Sequence, residues 1–529
     1  VTALPLPNVS VAPGGRLLVR TPYPRRLLLT MPRAEVLSEG LVEVPDTPQT
    51  RAHLRRIGVD GAFRAHALEG YDWPGQFHPM AHQKVTTEFL LSHQRCLVAN
   101  EIGTGKTLSV LWALDALARA GEMRRALVIA PKSTLHIVWA DEAFRTLSGR
   151  GLTATVLAAP KESRLEGLRS DASICIVNPE GLPQIYDAAR GQFDVVVVDE
   201  AALFRTPSSQ RFRGLNRWLS LTQHERMRLW LLTGTPTPNA PTDAWALAKL
   251  LRSPTAPRSF TAARDVLMRQ VRPFRWVPQP DAAQRVAGFL QPSIRFKRSE
   301  CLDLPPTTTQ AREVTLTPEQ ASLYEGMVRE YIVELEQGEL VAANEGVKAA
   351  RLLQIAAGAV YLSHGGRITV PTGPRIDQVL DIVGQATGKA LVYSPYRGPV
   401  GNLVSALEGV GGYRVGVVHG GVSKGRSELF HRFQEPRSDE EELDVLVAVP
   451  GAMSHGLTLT AATTIVWYSP PWSLEIYEQA CGRIERRGKT VPCTVVHLQA
   501  TDLERQVYAR LEAKRSLQGT LLNMLEERG

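Results

Sequence analysis

RCLVANEIGTGKTLSVLWAL, residues 95–114, puts a short apolar run, a glycine-rich turn and a stretch of helical periodicity in direct succession. In that order the amides of the turn lie at a helix N-terminus, where unpaired N–H groups and the helix dipole attract phosphate. Lys106 is then set to reach the β- and γ-phosphates of a nucleotide, and the Thr107 hydroxyl to hold Mg²⁺. One position departs from the GxxxxGK[ST] form, because Asn100 stands where the first glycine belongs. The bland alternative is a glycine-rich turn with an incidental lysine, and the flanking strand and helix weigh against it.

A phosphate loop needs a metal carboxylate at the end of a neighbouring strand. FDVVVVDEAALFR (193–205) supplies Asp199 and Glu200 where four valines run out. Asp199 would bind Mg²⁺ with Thr107, and Glu200 would orient and deprotonate the attacking water. The runs ALVIAP (126–131), SICIVNP (173–179) and RLWLLTGTP (228–236) alternate with helical stretches in the same region. A second set follows: KALVYSP (389–395), YRVGVVHG (413–420), LDVLVAVP (443–450), TTIVWYSP (463–470) and CTVVHLQA (493–500). Continuous apolar strands between helices argue for parallel sheets covered on both faces, so the expected fold is α/β with two such domains in tandem.

The pattern divides the chain into a small N-terminal accessory module (1–70), a first, ATP-binding lobe (71–252), a basic linker with a helical insertion (253–370) and a second lobe (371–529). Residues 1–60 carry eight arginines against five acids, with strand-like runs at RLLVR (16–20) and RRLLLTM (25–31). This arginine-rich module is a candidate for recognising DNA or recruiting a partner. Residues 252–300 hold ten Arg or Lys against three acids, interleaved with Phe260, Phe274, Trp276 and Phe296. Helical stretches follow at 318–337 and 347–361.

The 529 residues, 43% apolar and 22% charged, suit a globular protein of two or more domains, and the net charge of +8 suits nucleic acid or a plain basic enzyme. Five cysteines without a CxxC pair support neither a zinc site nor a disulfide framework. With no apolar run near the ~18 residues of a membrane span and no signal-like start, a cytoplasmic protein is expected.

QACGRIERRGK (479–489) carries four basic residues in eleven. On a helix Gln479, Arg483 and Arg486 would share one face while Arg487 points away, which suggests a common target.

GTGKT with DEAA, TGTPTPN (233–239) and SHGLTLTAATTIVWYSPPWSLEIYEQACGRIERRGK (454–489) together resemble the motif series of superfamily-two helicases, in the Swi/Snf-type branch of DNA translocases. The compact form looks most like bacteriophage-encoded members, and the likeness runs over roughly residues 77–515. It implies two RecA-like lobes with ATP between them, and cytoplasm of a bacterial host if phage-encoded. It implies that Gln83 in HPMAHQ reads adenine, that Gly103, Thr104, Gly105, Lys106 and Thr107 hold the phosphates, and that Gln479, Arg483 and Arg486 close on the nucleotide from the second lobe, the two arginines as fingers. Thr233 and Thr235 would couple hydrolysis to lobe movement. Lys132 and Ser133 in PKSTLHIVW (131–139) and Asn178 in IVNPEGL (176–182) would grip nucleic acid from the first lobe. Ser394 and Arg397 in YSPYR (393–397), VHGG (418–421), and His455 and Thr458 in SHGLTL (454–459) are the second-lobe counterparts. Two positions depart from the family pattern: Ala202 in the acidic motif and Gly482 before the first arginine of the last one.

The expected activity is DNA-stimulated ATP hydrolysis driving movement on duplex or branched DNA, with Arg295, Lys297 and Arg298 pairing phosphates. The protein is expected to be a monomer, to work with replication or recombination proteins and to have no membrane contact. The rivals are an RNA-dependent ATPase and an ATP-dependent clamp without turnover; the latter does not need Glu200 or the paired arginines.

Overall fold

The computed structural model describes residues 8–12, 16–20, 28, 31, 34–38, 40–45, 50, 54, 68, 70–222, 227–272, 275–302, 304–336, 342–361, 366–420, 425–436, 438, 441–453, 458–486 and 489–526. At the N-terminus β1 (Asn8–Ala12), β2 (Arg16–Arg20), β3 (Glu35–Ser38) and β4 (Leu41–Pro45) form an antiparallel sheet in the order β1-β2-β4-β3. Leu17, Val19, Val42 and Val44 alternate onto one face and make its small core, as period-two strands require. Of the predicted run RRLLLTM only Leu28 and Met31 lie among the described residues.

The first lobe is a seven-stranded parallel sheet built from β5 (Arg95–Val98), β6 (Ala126–Ile129), β7 (Ala154–Val156), β8 (Ile174–Val177), β9 (Val195–Val198), β10 (Arg228–Leu232) and β13 (Ser293–Ile294). The strand order is β13-β5-β10-β9-β6-β8-β7. The four valines of β9 show why the strands read as unbroken apolar runs. Val196 and Val198 enter the core on one face, Val195 and Val197 the core on the other. Each is fully buried and contributes roughly 1.5–3 kcal/mol of transfer free energy. An antiparallel hairpin of β11 (Met268–Arg272) and β12 (Arg275–Pro278) stands apart from this sheet.

The second lobe repeats the plan with β14 (Thr307–Glu313), β17 (Lys389–Tyr393), β18 (Val415–Val418), β19 (Val445–Ala448), β20 (Ala462–Trp467) and β21 (Cys493–Gln499), all parallel in the order β14-β21-β20-β17-β19-β18. A two-stranded hairpin, β15 (Ala359–Tyr361) and β16 (Arg367–Thr369), lies before it. The six helices that matter below are α1 (Ala81–Ser92), α2 (Lys106–Arg119), α3 (Phe260–Leu267), α4 (Ala282–Phe289), α5 (Leu474–Cys481) and α6 (Asp502–Glu526). The last packs against α4 and ties the lobes together.

The region expected to be a linker from residue 253 is shared between the lobes. Ala263 and Leu267 of α3 and Ala282, Val286 and Phe289 of α4 belong to the first lobe's core, and β13 adds a strand beside β5. β14 already pairs with β21 in the second lobe, so residues 295–306 alone make the crossing. The many arginines of this stretch lie around helices whose other face is apolar at helical spacing, which composition averages away. The stretch 347–361 is likewise split, because its helix ends at Ala356 and the chain turns through Gly358 (φ +87°) into β15. A Cβ on Gly358 would lie 2.9 Å from the Val370 carbonyl, so glycine is required there.

Candidate active site

Two strand ends and one helix start converge in the first lobe. Gly105 has φ +77° and caps α2, and a Cβ on it would stand 2.1 Å from Gln83 Nε2. Helix α1 lies under the loop. The His82 Nε2 atom is hydrogen-bonded to the Thr104 carbonyl at 2.8 Å, and Gln83 Nε2 donates to the Gly105 carbonyl at 3.4 Å. Gln83 Oε1 accepts from the Met80 amide at 2.9 Å, so both ends of this buried amide, expected to read adenine, are engaged within the chain. Asn100, at the first glycine position, has no left-handed backbone to satisfy; its Nδ2 donates to Thr86 Oγ1 at 2.9 Å and anchors the loop on α1.

Lys106 Nζ donates to the carbonyls of Asn100 (2.8 Å) and Glu101 (3.0 Å). Burial lowers its pKa, while Glu200 and Asp199 oppose that shift. Asp199 follows β9; its Oδ1 accepts from the Glu200 amide at 3.0 Å and its Oδ2 from the indole Nε1 of Trp139 at 2.8 Å. Burial raises the Asp199 pKa, and burial together with the Asp199 charge pushes Glu200 up to about 8. Glu200 also sits at φ 50°, a left-handed conformation costing a non-glycine residue roughly 1–3 kcal/mol.

This donor set fits a divalent cation, since two half-buried carboxylates face the Lys106 ammonium and added positive charge would relieve their desolvation. Thr107, on the first turn of α2, and Asp199 are the side chains that would hold it. Among the described residues no group of three or more His, Cys, Asp or Glu forms a cage, and Mg²⁺ commonly takes one or two carboxylates plus substrate phosphates.

Trp139 was not singled out by sequence reasoning, although PKSTLHIVW contains it. It is fully buried on a single π-helical turn, Leu135–Ala140, in which the Thr134 carbonyl accepts from both Val138 (3.1 Å) and Trp139 (3.0 Å). Such turns recur at functional sites. Trp139→Phe keeps the packing and removes the donor to a carboxylate, a bond worth roughly 1.5–3 kcal/mol. Steady-state kinetics should show kcat lowered roughly 10–100-fold, with ATP affinity within about threefold; unchanged kcat would show that Asp199 is held by other contacts.

The second lobe presents the arginine turn. The expected single helix face is absent: α5 ends at Cys481, the Gly482 amide donates to the Glu478 carbonyl at 2.8 Å, and the next residues form i→i+3 turns. Fully buried Ile484 anchors that turn, and the two arginines diverge around it. Arg483 is buried against Tyr393 at the end of β17, and burial lowers its pKa. Arg486 faces the phosphate loop. Its Cγ lies 3.7 Å from where a Cβ of Gly103 would stand, its Nη1 donates to Thr458 Oγ1 at 3.1 Å, and its pKa is pushed down to about 10 by burial and by neighbouring Arg483 and Arg298. Gln479 remains half-buried on α5, while Arg487 and His455 lie outside the described residues.

Between the lobes is a cavity of about 290 Å³ whose lining includes Gly234, Thr235, Arg298, Cys481 and Glu485. The Thr235 amide donates to Thr233 Oγ1 at 3.1 Å, and the Thr233 amide to the Val98 carbonyl at 3.0 Å, which docks this turn beside β5. Arg205 of the first lobe pairs with Glu475 of the second at 3.1 Å.

The residues expected to grip nucleic acid separate by exposure. Lys132, Arg397 and Thr458 are exposed and Ser133 is half-buried. Ser394 is fully buried, its hydroxyl donating to the Tyr396 carbonyl at 2.8 Å, and Asn178 Nδ2 donates to Glu180 at 2.8 Å. Thr458 is turned to Arg486. The three basic residues of the crossover are engaged internally: Arg295 with Glu101 (3.0 Å), Lys297 with Glu300 (2.9 Å) and Arg298 with Glu485. The expectation that they pair DNA phosphates fails for Arg295, whose side chain is 3% exposed. Acids distant in sequence or in a short helix answer the charges that looked unbalanced locally.

A phosphate loop facing an arginine turn across two parallel-sheet lobes is the arrangement of helicase-type ATPases, and the family matches place the chain in superfamily two. The SNF2-related domain matches residues 66–357, and the helicase conserved C-terminal domain matches residues 374–488. The first match spans more than half of the chain, and the chain belongs to the SNF2-related family, a DNA-dependent ATPase. Protein p41 of Acyrthosiphon pisum secondary endosymbiont phage 1 is 25% identical over 85% of this chain and 99% of its own. The DNA repair and recombination protein RAD54-like of Gallus gallus is 23% identical over 98% of this chain and 77% of its own. The solved Sulfolobus solfataricus SWI2/SNF2 ATPase core in complex with dsDNA overlays 86% of this chain and 95% of that one, at 19% identity and a TM-score of 0.40. No helix among the described residues is long and apolar enough to cross a membrane.

Proposed function

We propose that this chain is an ATP-driven translocase on duplex or branched DNA, with fork remodelling, branch migration or protein displacement as its output. The observation that carries the reading is an exposed cation past a strand end in each lobe, Lys132 beyond β6 and Arg397 beyond β17. Closing and opening of the cleft changes the spacing of these two grips, and alternating their hold moves the chain along the backbone. Lys106 holds the phosphates, Glu200 takes a proton from the attacking water and Arg486 meets the charge developing on the transferred group. Thr107 and Asp199 would hold Mg²⁺, which neutralises phosphate oxygens.

The test compares ATPase stimulation by single-stranded DNA, blunt duplex, forked DNA and RNA. Duplex or forked DNA is expected to stimulate most, with Lys132→Ala and Arg397→Ala each weakening DNA affinity and lowering its salt dependence by about one ion. Strongest stimulation by RNA would overturn the reading.

A further inference from the structure

Glu101 stands two residues before the first glycine of the phosphate loop and is held by the crossover between the lobes. Arg295 Nη2 donates to its Oε1 at 3.0 Å, and the Arg298 amide donates to its Oε2 at 3.0 Å. The Arg298 side chain reaches the other way, donating to the Glu485 carboxylate and, at 3.4 Å, to the Glu485 carbonyl. Glu485 immediately precedes Arg486. The point where a Cβ of Gly103 would stand is 3.7 Å from Arg486 Cγ, 3.8 Å from the Glu485 carbonyl oxygen and 3.9 Å from Arg298 Cδ. Phosphate loop, crossover and arginine turn therefore meet at one point. The side chains of Arg298 and Glu485 are 21% and 14% exposed, so solvent screens the pair only in part.

We propose that Arg298 is a positioning residue: from the crossover it seats the arginine turn on the phosphate loop, so that Arg486 meets the transferred phosphoryl group in register. This rests on the reading of Arg486 given above. The backbone of Arg298 is fixed to the first lobe through Glu101, and its side chain is fixed to the second through Glu485. Rotation of the second lobe about the crossover is thereby constrained at the residue next to the finger. The planar guanidinium satisfies carboxylate and carbonyl together, which a lysine ammonium does with poorer directionality. An error of about 1 Å in such a seat can cost roughly 100-fold in rate.

The experiment is a charge exchange. Arg298→Glu and Glu485→Arg are each expected to lower kcat for ATP roughly tenfold or more with KM within about threefold, and the double exchange to recover at least about a third of the wild-type kcat. Arg298→Lys, the variant least apt to disturb folding, should show a smaller kcat loss with duplex affinity, measured by anisotropy, within about twofold. A double exchange no better than either single change would overturn the proposal. So would Arg298→Lys with intact kcat and duplex affinity weakened roughly tenfold, which would make Arg298 a phosphate contact. Arg486→Ala assayed in parallel separates the two readings. If it turns over at the wild-type rate while the exchange still rescues, the finger assignment fails and Arg298 stands as the seat of the second lobe.

Discussion

Glu200→Gln is expected to lower ATP turnover roughly 10²–10⁴-fold, the range supplied by a positioned general base, while ATP affinity stays within a few-fold. The two side chains are nearly isosteric, so the phosphate loop, Lys106 and the Trp139–Asp199 bond should persist. What the change removes is the group proposed to accept the proton of the attacking water. The substitution should also leave the protein at least as thermally stable. Glu200 is half-buried beside Asp199, and both desolvation and that like charge disfavour its ionised form. A neutral amide relieves this repulsion, a common trade at sites where function maintains strain. The checks are single-turnover hydrolysis, equilibrium binding of a fluorescent ATP analogue and a thermal melt. Turnover within about tenfold of wild type would remove Glu200 from the role of base and restore the clamp as a rival.

Arg486→Ala is expected to cost kcat roughly 10³-fold or more, as loss of an arginine finger does, with an unchanged melting temperature and retained ATP binding. Arg483→Ala should behave differently. Arg483 is buried within the second lobe against Tyr393, and its carbonyl accepts from the Leu459 amide at 3.0 Å. Truncation leaves a cavity and removes a partner from the Tyr393 hydroxyl, costing about 2–4 kcal/mol of stability and thereby displacing the turn that carries Arg486. Its defect in hydrolysis should therefore come with a lowered melting temperature and be milder at low temperature. Equal kcat losses with equal, wild-type melting temperatures would mean that both guanidinium groups reach the phosphates and that the division seen here does not persist through the cycle.

Much of the fold follows from local pattern. RCLV, ALVI, ICIV and VVVV are apolar at every position because the sheet is covered on both faces, and helices between them leave no other economical arrangement. GTGKT and VVVVDE are equally readable, because each is a strand end whose chemistry lies within a few residues of the strand itself. The misreadings arose where one residue's meaning depends on a distant one. Gln479, Arg483 and Arg486 have helical spacing, but Gly482 and the burial of Ile484 end the helix before the arginines. Arg295 and Arg298 looked like a basic strip because Glu101 and Glu485 are far from them in sequence.

By itself the sequence determines two parallel-sheet lobes, a glycine-rich loop at a helix start and a pair of carboxylates at a strand end, since each depends on periodicity, backbone conformation or a short strand-end spacing. Only tertiary structure decides which arginine faces the glycine-rich loop, that Trp139 holds Asp199, and that Arg298 joins the crossover to the arginine turn. The physical reason is that charge and hydrogen bonding act through space at about 3 Å; the partners that satisfy them come together only when the lobes have folded and met.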